Sequence, residues 1–103
     1  MNEILLNLSK IIKIRKKSRS KESYTSSLLH SGIEQCSKKF GEEAFELVIA
    51  AIGEDLDSFN NEAADVLYHL LVLMEAREAD FNDILSLLAR RQNKSGHAEK
   101  ASR

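Results

Sequence analysis

The 103-residue chain contains no proline, a single cysteine and no apolar run approaching the roughly 18 residues of a membrane span. Without proline nothing interrupts long helices, and the apolar residues recur at helical rather than alternating spacing, so strands have no support. With Cys36 alone, no intrachain disulfide can form and a reducing compartment is the simpler assumption. No nucleophile context surrounds that cysteine, which is expected to be a small buried apolar side chain. The N-terminus lacks a signal peptide's apolar stretch and cleavage site, so a cytoplasmic protein without membrane association is expected. No glycine-rich P-loop is present, which removes the usual nucleoside triphosphatase architecture but not nucleotide chemistry as such. There is no HExxH and no Cys/His spacing, so zinc catalysis has no support.

What is present is an ordinary globular composition, 43% hydrophobic and 30% charged with a formal net charge of -1. That balance argues against intrinsic disorder and against bulk attraction to nucleic acid. The charges are segregated. Seven Lys or Arg (Lys10, Lys13, Arg15, Lys16, Lys17, Arg19 and Lys21) crowd the first 21 residues against Glu3 alone. From Glu42 to Ala76 there are nine acids and no Lys or Arg. Such a division is expected if the two parts meet opposite charge on a partner or on each other.

The length suits one domain spanning 1–103, and the pattern predicts an all-α bundle of four to five helices. A first helix places Ile4, Leu5, Leu8, Ile11 and Ile12 on one face and dissolves into the basic segment "RKKSRSKES". A short piece, "YTSSLLHSG", leads into a long helix over roughly Ile33 to Ile52. Gly53 is suited to a left-handed C-cap, and "EDLDS" supplies capping side chains for the next helix, roughly Ser58 to Arg77. That helix is apolar most of the way round and must be buried on several sides. Short neighbours cannot easily surround it, which predicts a homodimer. Asp80 and Asp83 cap a last helix, and the tail from about residue 92, "NKSGHAEKASR", has no apolar face and is expected to be mobile unless a ligand or partner orders it.

The acids carry the chemistry. "EAFE" places Glu43 and Glu46 three apart, and "NEAAD" does the same for Glu62 and Asp65. Neighbours at this spacing repel on a helix surface. An acidic stripe on an isolated amphipathic helix is ordinarily a solvated face, but here a second stripe interrupts a helix that otherwise wants burial. If the two helices run antiparallel, as their short connection favours, four carboxylates converge. Buried together they require counter-ions. All-oxygen ligation selects hard divalent cations, Mg²⁺ or Mn²⁺, and Mg²⁺ in turn favours a phosphate or polyphosphate ester as substrate.

Other residues carry less. His69, one turn beyond Asp65, reads either as a hydrogen-bonded core histidine or as a group that orients a ligand. The basic run reads either as a solvated helix end or as a binding element for substrate phosphates. With only Tyr24 nearby it lacks the aromatic interleaving of a single-strand nucleic-acid platform.

In that order, "SYTSSLLHSG", "KKFGEEAFELVIAA", "NEAADVLYHLLVLM" and "SGHAEKASR" closely resemble the phosphoribosyl-ATP pyrophosphatase family, a branch of the all-α NTP pyrophosphatase superfamily. The acidic pairs alone match the wider superfamily, while the Ser-Tyr-Thr segment and "YHLLVL" point to this branch. The resemblance implies a cytoplasmic all-α dimer that uses Mg²⁺ to hydrolyse phosphoribosyl-ATP to phosphoribosyl-AMP and pyrophosphate in histidine biosynthesis. It carries over Glu43, Glu46, Glu62 and Asp65 as metal ligands, and Glu42 as the additional acid that orients the nucleophile or holds a water on the metal. Lys39 matches the family's basic position and is expected on phosphate. Ser23, Tyr24 and Thr25 match a segment near the substrate, and Lys38 with the Arg15 to Lys21 run is a candidate for the far end of the substrate. Phe40 stands where a smaller aliphatic residue is common. Gly41 interrupts the helix at a cost near 1 kcal/mol relative to alanine, which a close approach of a neighbouring helix or ligand would explain. In some organisms the activity is fused to the cyclohydrolase of the next step, and here it is expected to stand alone.

Two alternatives remain at this stage. A housecleaning (d)NTP pyrophosphatase would share the acidic site and differ in its base pocket. A non-enzymatic helical interaction module would carry the acids as surface decoration.

Overall fold

The computed structural model describes residues 3–19, 21 and 23–92, and among these the regular structure is helical throughout. Five helices follow in order: α1 (Glu3–Lys16), α2 (Tyr24–His30), α3 (Ile33–Gly53), α4 (Leu56–Arg77) and α5 (Phe81–Arg91). The tail expected to be mobile lies outside the described residues. No helix among them is long and apolar enough to cross a membrane.

α3 and α4 pack against each other as an antiparallel hairpin closed by two residues. Glu54 ends α3 with its N–H on the Ala50 carbonyl, and the Asp55 carboxylate accepts from Ser58 N at 2.8 Å, so α4 begins two residues earlier than the apolar pattern suggests. Gly53 closes α3 but is not left-handed. Among the described residues positive φ occurs at Gly32, which opens α3, and at Glu78, which ends α4. An extended Glu54 stops the helix by turning the chain outward, so no left-handed residue is needed there.

The core gathers at the open end of the hairpin, where Ile12, Leu28, Leu29, Cys36, Leu71, Val72 and Met74 are buried together. α1 and α2 cover the C-terminal half of α4, and Phe81 and Ile84 of α5 close one side. The Cys36 thiol is fully buried, donates to the Leu28 carbonyl at 3.3 Å and is pushed up in pKa by that burial. Part of the segregated charge is answered internally. Lys13 pairs with Glu75 at 2.9 Å, and Lys16 lies 3.6 Å from Glu75 and 3.8 Å from Glu78, at the C-terminal end of α4 where cations are favoured.

The C-terminal half of α4 is covered by its own chain, with Leu71, Val72 and Met74 buried, while its N-terminal half is more open. At the closed end of the hairpin Phe45, Val48, Ile49 and Ile52 of α3, with Leu56 and Leu67 of α4, remain exposed.

Candidate functional site

The hairpin brings the two acidic pairs to one place. Oxygens of Glu43, Glu62 and Asp65 all lie within 4.8 Å of one another. Glu43 projects inward from α3 and is only 8% exposed, Glu62 is half-buried and Asp65 is exposed at the rim. Glu46 stands outside the tightest set, yet it faces Glu62 closely enough to repel it. Glu62 Oε2 is buried and has no hydrogen-bond partner among the described residues. Burial first, then repulsion from Glu46, Asp65 and Glu43, holds the Glu62 carboxyl above its ordinary range.

The only cation paired with this cluster among the described residues is Lys39, one turn before Glu43. Its Nζ lies 3.3 Å from Glu43 Oε1 and 3.8 Å from Glu42 Oε2. The hydrogen bond to Glu43 raises the lysine's pKa. Glu42 is exposed beside it and takes no place among the three converging carboxylates. Lys38 is exposed and makes no ion pair among the described residues. A methyl group added at Gly41 would meet nothing within 4 Å, so no neighbouring helix of this chain requires the glycine.

Behind the acids, α2 is fastened to α4 by two side-chain pairs. Tyr24 Oη lies 3.1 Å from His69 Nε2, and His69 Nδ1 lies 2.8 Å from the Asp65 carbonyl. A carbonyl only accepts, so Nδ1 carries the proton, and in the neutral ring Nε2 accepts from the tyrosine. The buried His69 ring also meets Tyr68 edge-on at 4.9 Å between centroids. Thr25 hydrogen-bonds the Tyr68 hydroxyl. Ser23 caps α2, its Oγ accepting from Ser26 N at 2.9 Å. Of the Ser-Tyr-Thr segment, then, Tyr24 and Thr25 both touch the acid-bearing helix, Tyr24 through the histidine bonded to the Asp65 carbonyl, and Ser23 caps α2. The contribution of Tyr68 has no local signal in sequence, because its partner lies 43 residues away.

The described residues also line cavities. One of about 370 Å³ is lined by Tyr24, Ser27, Leu28, Ser31 and Gln35. A larger one of about 850 Å³ lies between α1 and the α4–α5 junction, walled by the Lys13, Lys16, Glu75 and Glu78 ion pairs. The larger space has more volume but no unbalanced charge. The cluster has three converging oxygen donors, an orphaned buried oxygen and one ammonium to balance them, which is the donor set of a hard divalent cation.

Comparison with known proteins gives matches along most of the chain. Residues 5–92 match the family described as phosphoribosyl-ATP pyrophosphohydrolase. A phosphoribosyl-ATP pyrophosphatase of Zymomonas mobilis is 46% identical over 101 residues, covering 98% of this chain and 94% of that protein. One of Roseobacter denitrificans is 52% identical over 89 residues, covering 86% and 85% respectively. One of Azorhizobium caulinodans is 46% identical over 99 residues, covering 96% and 91%. With a family match across most of its length and relatives this similar from end to end, the chain belongs to the phosphoribosyl-ATP pyrophosphohydrolase family.

Proposed function

We propose that this chain hydrolyses phosphoribosyl-ATP to phosphoribosyl-AMP and pyrophosphate, the second step of histidine biosynthesis, with Mg²⁺ or Mn²⁺ held by Glu43, Glu46, Glu62 and Asp65. The observation that carries the reading is the convergence of Glu43, Glu62 and Asp65, with a buried Glu62 oxygen that has no hydrogen-bond partner among the described residues. When bound, the divalent ion neutralises phosphate oxygens and activates water. The chain's own residues orient and balance. Water attacks the α-phosphorus in line, the bond from that phosphorus to the bridging oxygen breaks, and pyrophosphate leaves with the electron pair. Glu42, which lies exposed beside Lys39 and outside the converging set, orients the water and takes its proton in this reading. Lys39 and Lys38 neutralise phosphate oxygens at the lip of the site. Tyr24, Ser23 and Thr25 bring α2 against it, and the cavity beside Tyr24 and Gln35 offers room for a part of the nucleotide.

The working unit is a homodimer in the cytoplasm. The apolar stripe from Phe45 to Ile52, with Leu56 and Leu67, supports a second copy as its cover, since Glu46 alone interrupts it with charge. The acids of the hairpin likewise disfavour nucleic acid as a partner.

The purified protein, mixed with phosphoribosyl-ATP and Mg²⁺, is expected to release pyrophosphate rapidly, and EDTA to stop it. Parallel reactions with dATP, dCTP and dUTP are expected to be slow. Turnover confined to the free nucleotides would keep the cation site and replace the substrate, while no release from any of them would overturn the reading.

A further inference from the structure

We propose that Lys39 is an exchangeable counter-ion, whose ammonium sits on Glu43 while the acidic cluster lacks a divalent ion and passes to a substrate phosphate oxygen when the ion arrives. This rests on the function proposed above and adds to it a reason for cation and phosphate to bind cooperatively. The geometry points to exchange because the ammonium and the ion compete for one carboxylate. Lys39 Nζ is 3.3 Å from Oε1 of Glu43, and Glu43 belongs to the set of oxygens within 4.8 Å of one another. Mg²⁺ takes oxygen ligands at about 2.0–2.1 Å. It would therefore place two positive charges beside the ammonium, at close range and in a partly buried setting where solvent screens poorly.

The lysine is the partner that can yield. Its side chain is 33% exposed against 11% for Glu43, so the flexible stem can turn outward while the carboxylate stays. No lysine or arginine follows until Arg77, and Lys38 beside it is exposed and makes no ion pair among the described residues, so Lys39 is the cation seated on the cluster. Turned outward, the ammonium keeps Glu42 within reach, at 3.8 Å already, and Tyr24 close enough to interact electrostatically. Tyr24 carries no charge, and Glu42 carries the same charge as Glu43 but on a side chain 49% exposed, where solvent weakens an ion pair. A phosphate oxygen held at the site offers the stronger partner, as a charge-assisted hydrogen bond. The free cluster is thus kept from full repulsion by a cation it already owns, and the ion alone must displace that cation without recompense. An ion arriving with a polyphosphate ester brings the replacement partner with it.

The contrary arrangement has Lys39 remaining on Glu43 as an outer support that orients the carboxylate for the ion. The two differ in sign. Mn²⁺ binding to the full chain is measured from the electron paramagnetic resonance of the free ion, alone and with α,β-methylene-ATP, whose α–β bridge resists hydrolysis. Under exchange, Lys39→Met binds Mn²⁺ alone about two- to fivefold more tightly than wild type, the yield of one partly exposed ion pair. It also loses most of the enhancement that the analogue gives wild type, and Lys39→Arg retains it. Equal or weaker binding of Mn²⁺ alone by Lys39→Met would overturn the exchange and leave the cation site standing. Failure of the underlying function looks different: wild type and Glu62→Gln would then bind Mn²⁺ equally poorly, and exchange falls with it.

Discussion

Burial and three neighbouring carboxylates raise the Glu62 pKa, desolvation contributing most. A value raised above the unfolded one means that the folded chain binds more protons. The associated stability is fully present below the unfolded value, near the ordinary carboxylate range, and is lost as pH rises through the folded value. At neutral pH without a divalent ion, Glu62 is therefore a destabilising charge. Glu62→Gln should raise the Tm of the EDTA-treated protein at pH 7, with the advantage shrinking toward pH 4. The same variant should lose the rise in Tm that Mg²⁺ gives wild type and more than about a hundredfold of turnover, beyond what loss of an outer-shell partner costs. Differential scanning fluorimetry across pH, with and without Mg²⁺, reads both effects, and an EDTA-treated variant no more stable than wild type would mean that the cluster is already balanced. A second residue tests the fastening of α2. Tyr24→Phe leaves His69 Nε2 without its donor and should cost about 1 kcal/mol in urea denaturation. The acids were legible in sequence because i, i+3 spacing on two helices joined by a short connection nearly dictates their meeting. The Tyr24–His69 and Thr25–Tyr68 pairs were not. They join residues 45 and 43 apart, and no periodicity encodes which polar groups will meet across a bundle.

At the scale of elements, the helices were legible wherever apolar spacing and caps agreed. Asp55 and Asp80 both accept from backbone N–H groups as capping side chains, at 2.8 Å in each case. α4 ends at Arg77 as its spacing predicts, but by a cap that the sequence does not signal. Glu78 is left-handed, with φ 63, its N–H on the Glu75 carbonyl and the Ala79 N–H on Met74 at 2.9 Å, the pair of bonds that closes a Schellman turn. Glycine normally holds that position, since a side chain there costs roughly 1–2 kcal/mol. Sequence reading looks for a glycine stop and finds one at Gly53, where the chain instead turns through an extended Glu54. What Glu78 gives in return is a 3.8 Å ion pair with Lys16 from a side chain that is mostly exposed, and such pairs contribute little. Glu78→Gly should therefore stabilise the protein by about 1 kcal/mol, near 4–8 °C in Tm for a chain of this size. A fall in Tm would show that the Lys16 pair and the anchoring of α1 outweigh the strained backbone.

For the whole molecule, the distribution of apolar surface decides the question of partners. The principal axes measure 47 × 34 × 27 Å, an elongated shape for so short a chain, and the core occupies only the open end of the hairpin. The composition of α4 suggested a partner because its apolar residues run nearly all round, yet α1, α2 and α3 bury Leu71, Val72 and Met74 within the chain. Hydrophobicity along one helix cannot say which neighbours will reach it. Among the exposed apolar residues, which include Ile4 and Ile14 of α1, those of α3 form a stripe beside the acids, with Phe45 at 66% and Ile52 at 84% exposure. A second copy laid against the same stripe would bury both hairpins at once and complete a four-helix arrangement, with each acidic cluster close to the seam. Ile52→Lys tests this cleanly, because a residue so exposed contributes almost nothing to the fold of the single chain. Sedimentation velocity at micromolar concentration should give a dimer for the wild type and a monomer for the variant, with helicity by circular dichroism unchanged. A variant that remains dimeric would move the interface to another face, and a wild type that sediments as a monomer would remove it, leaving the stripe beside the acids open to solvent.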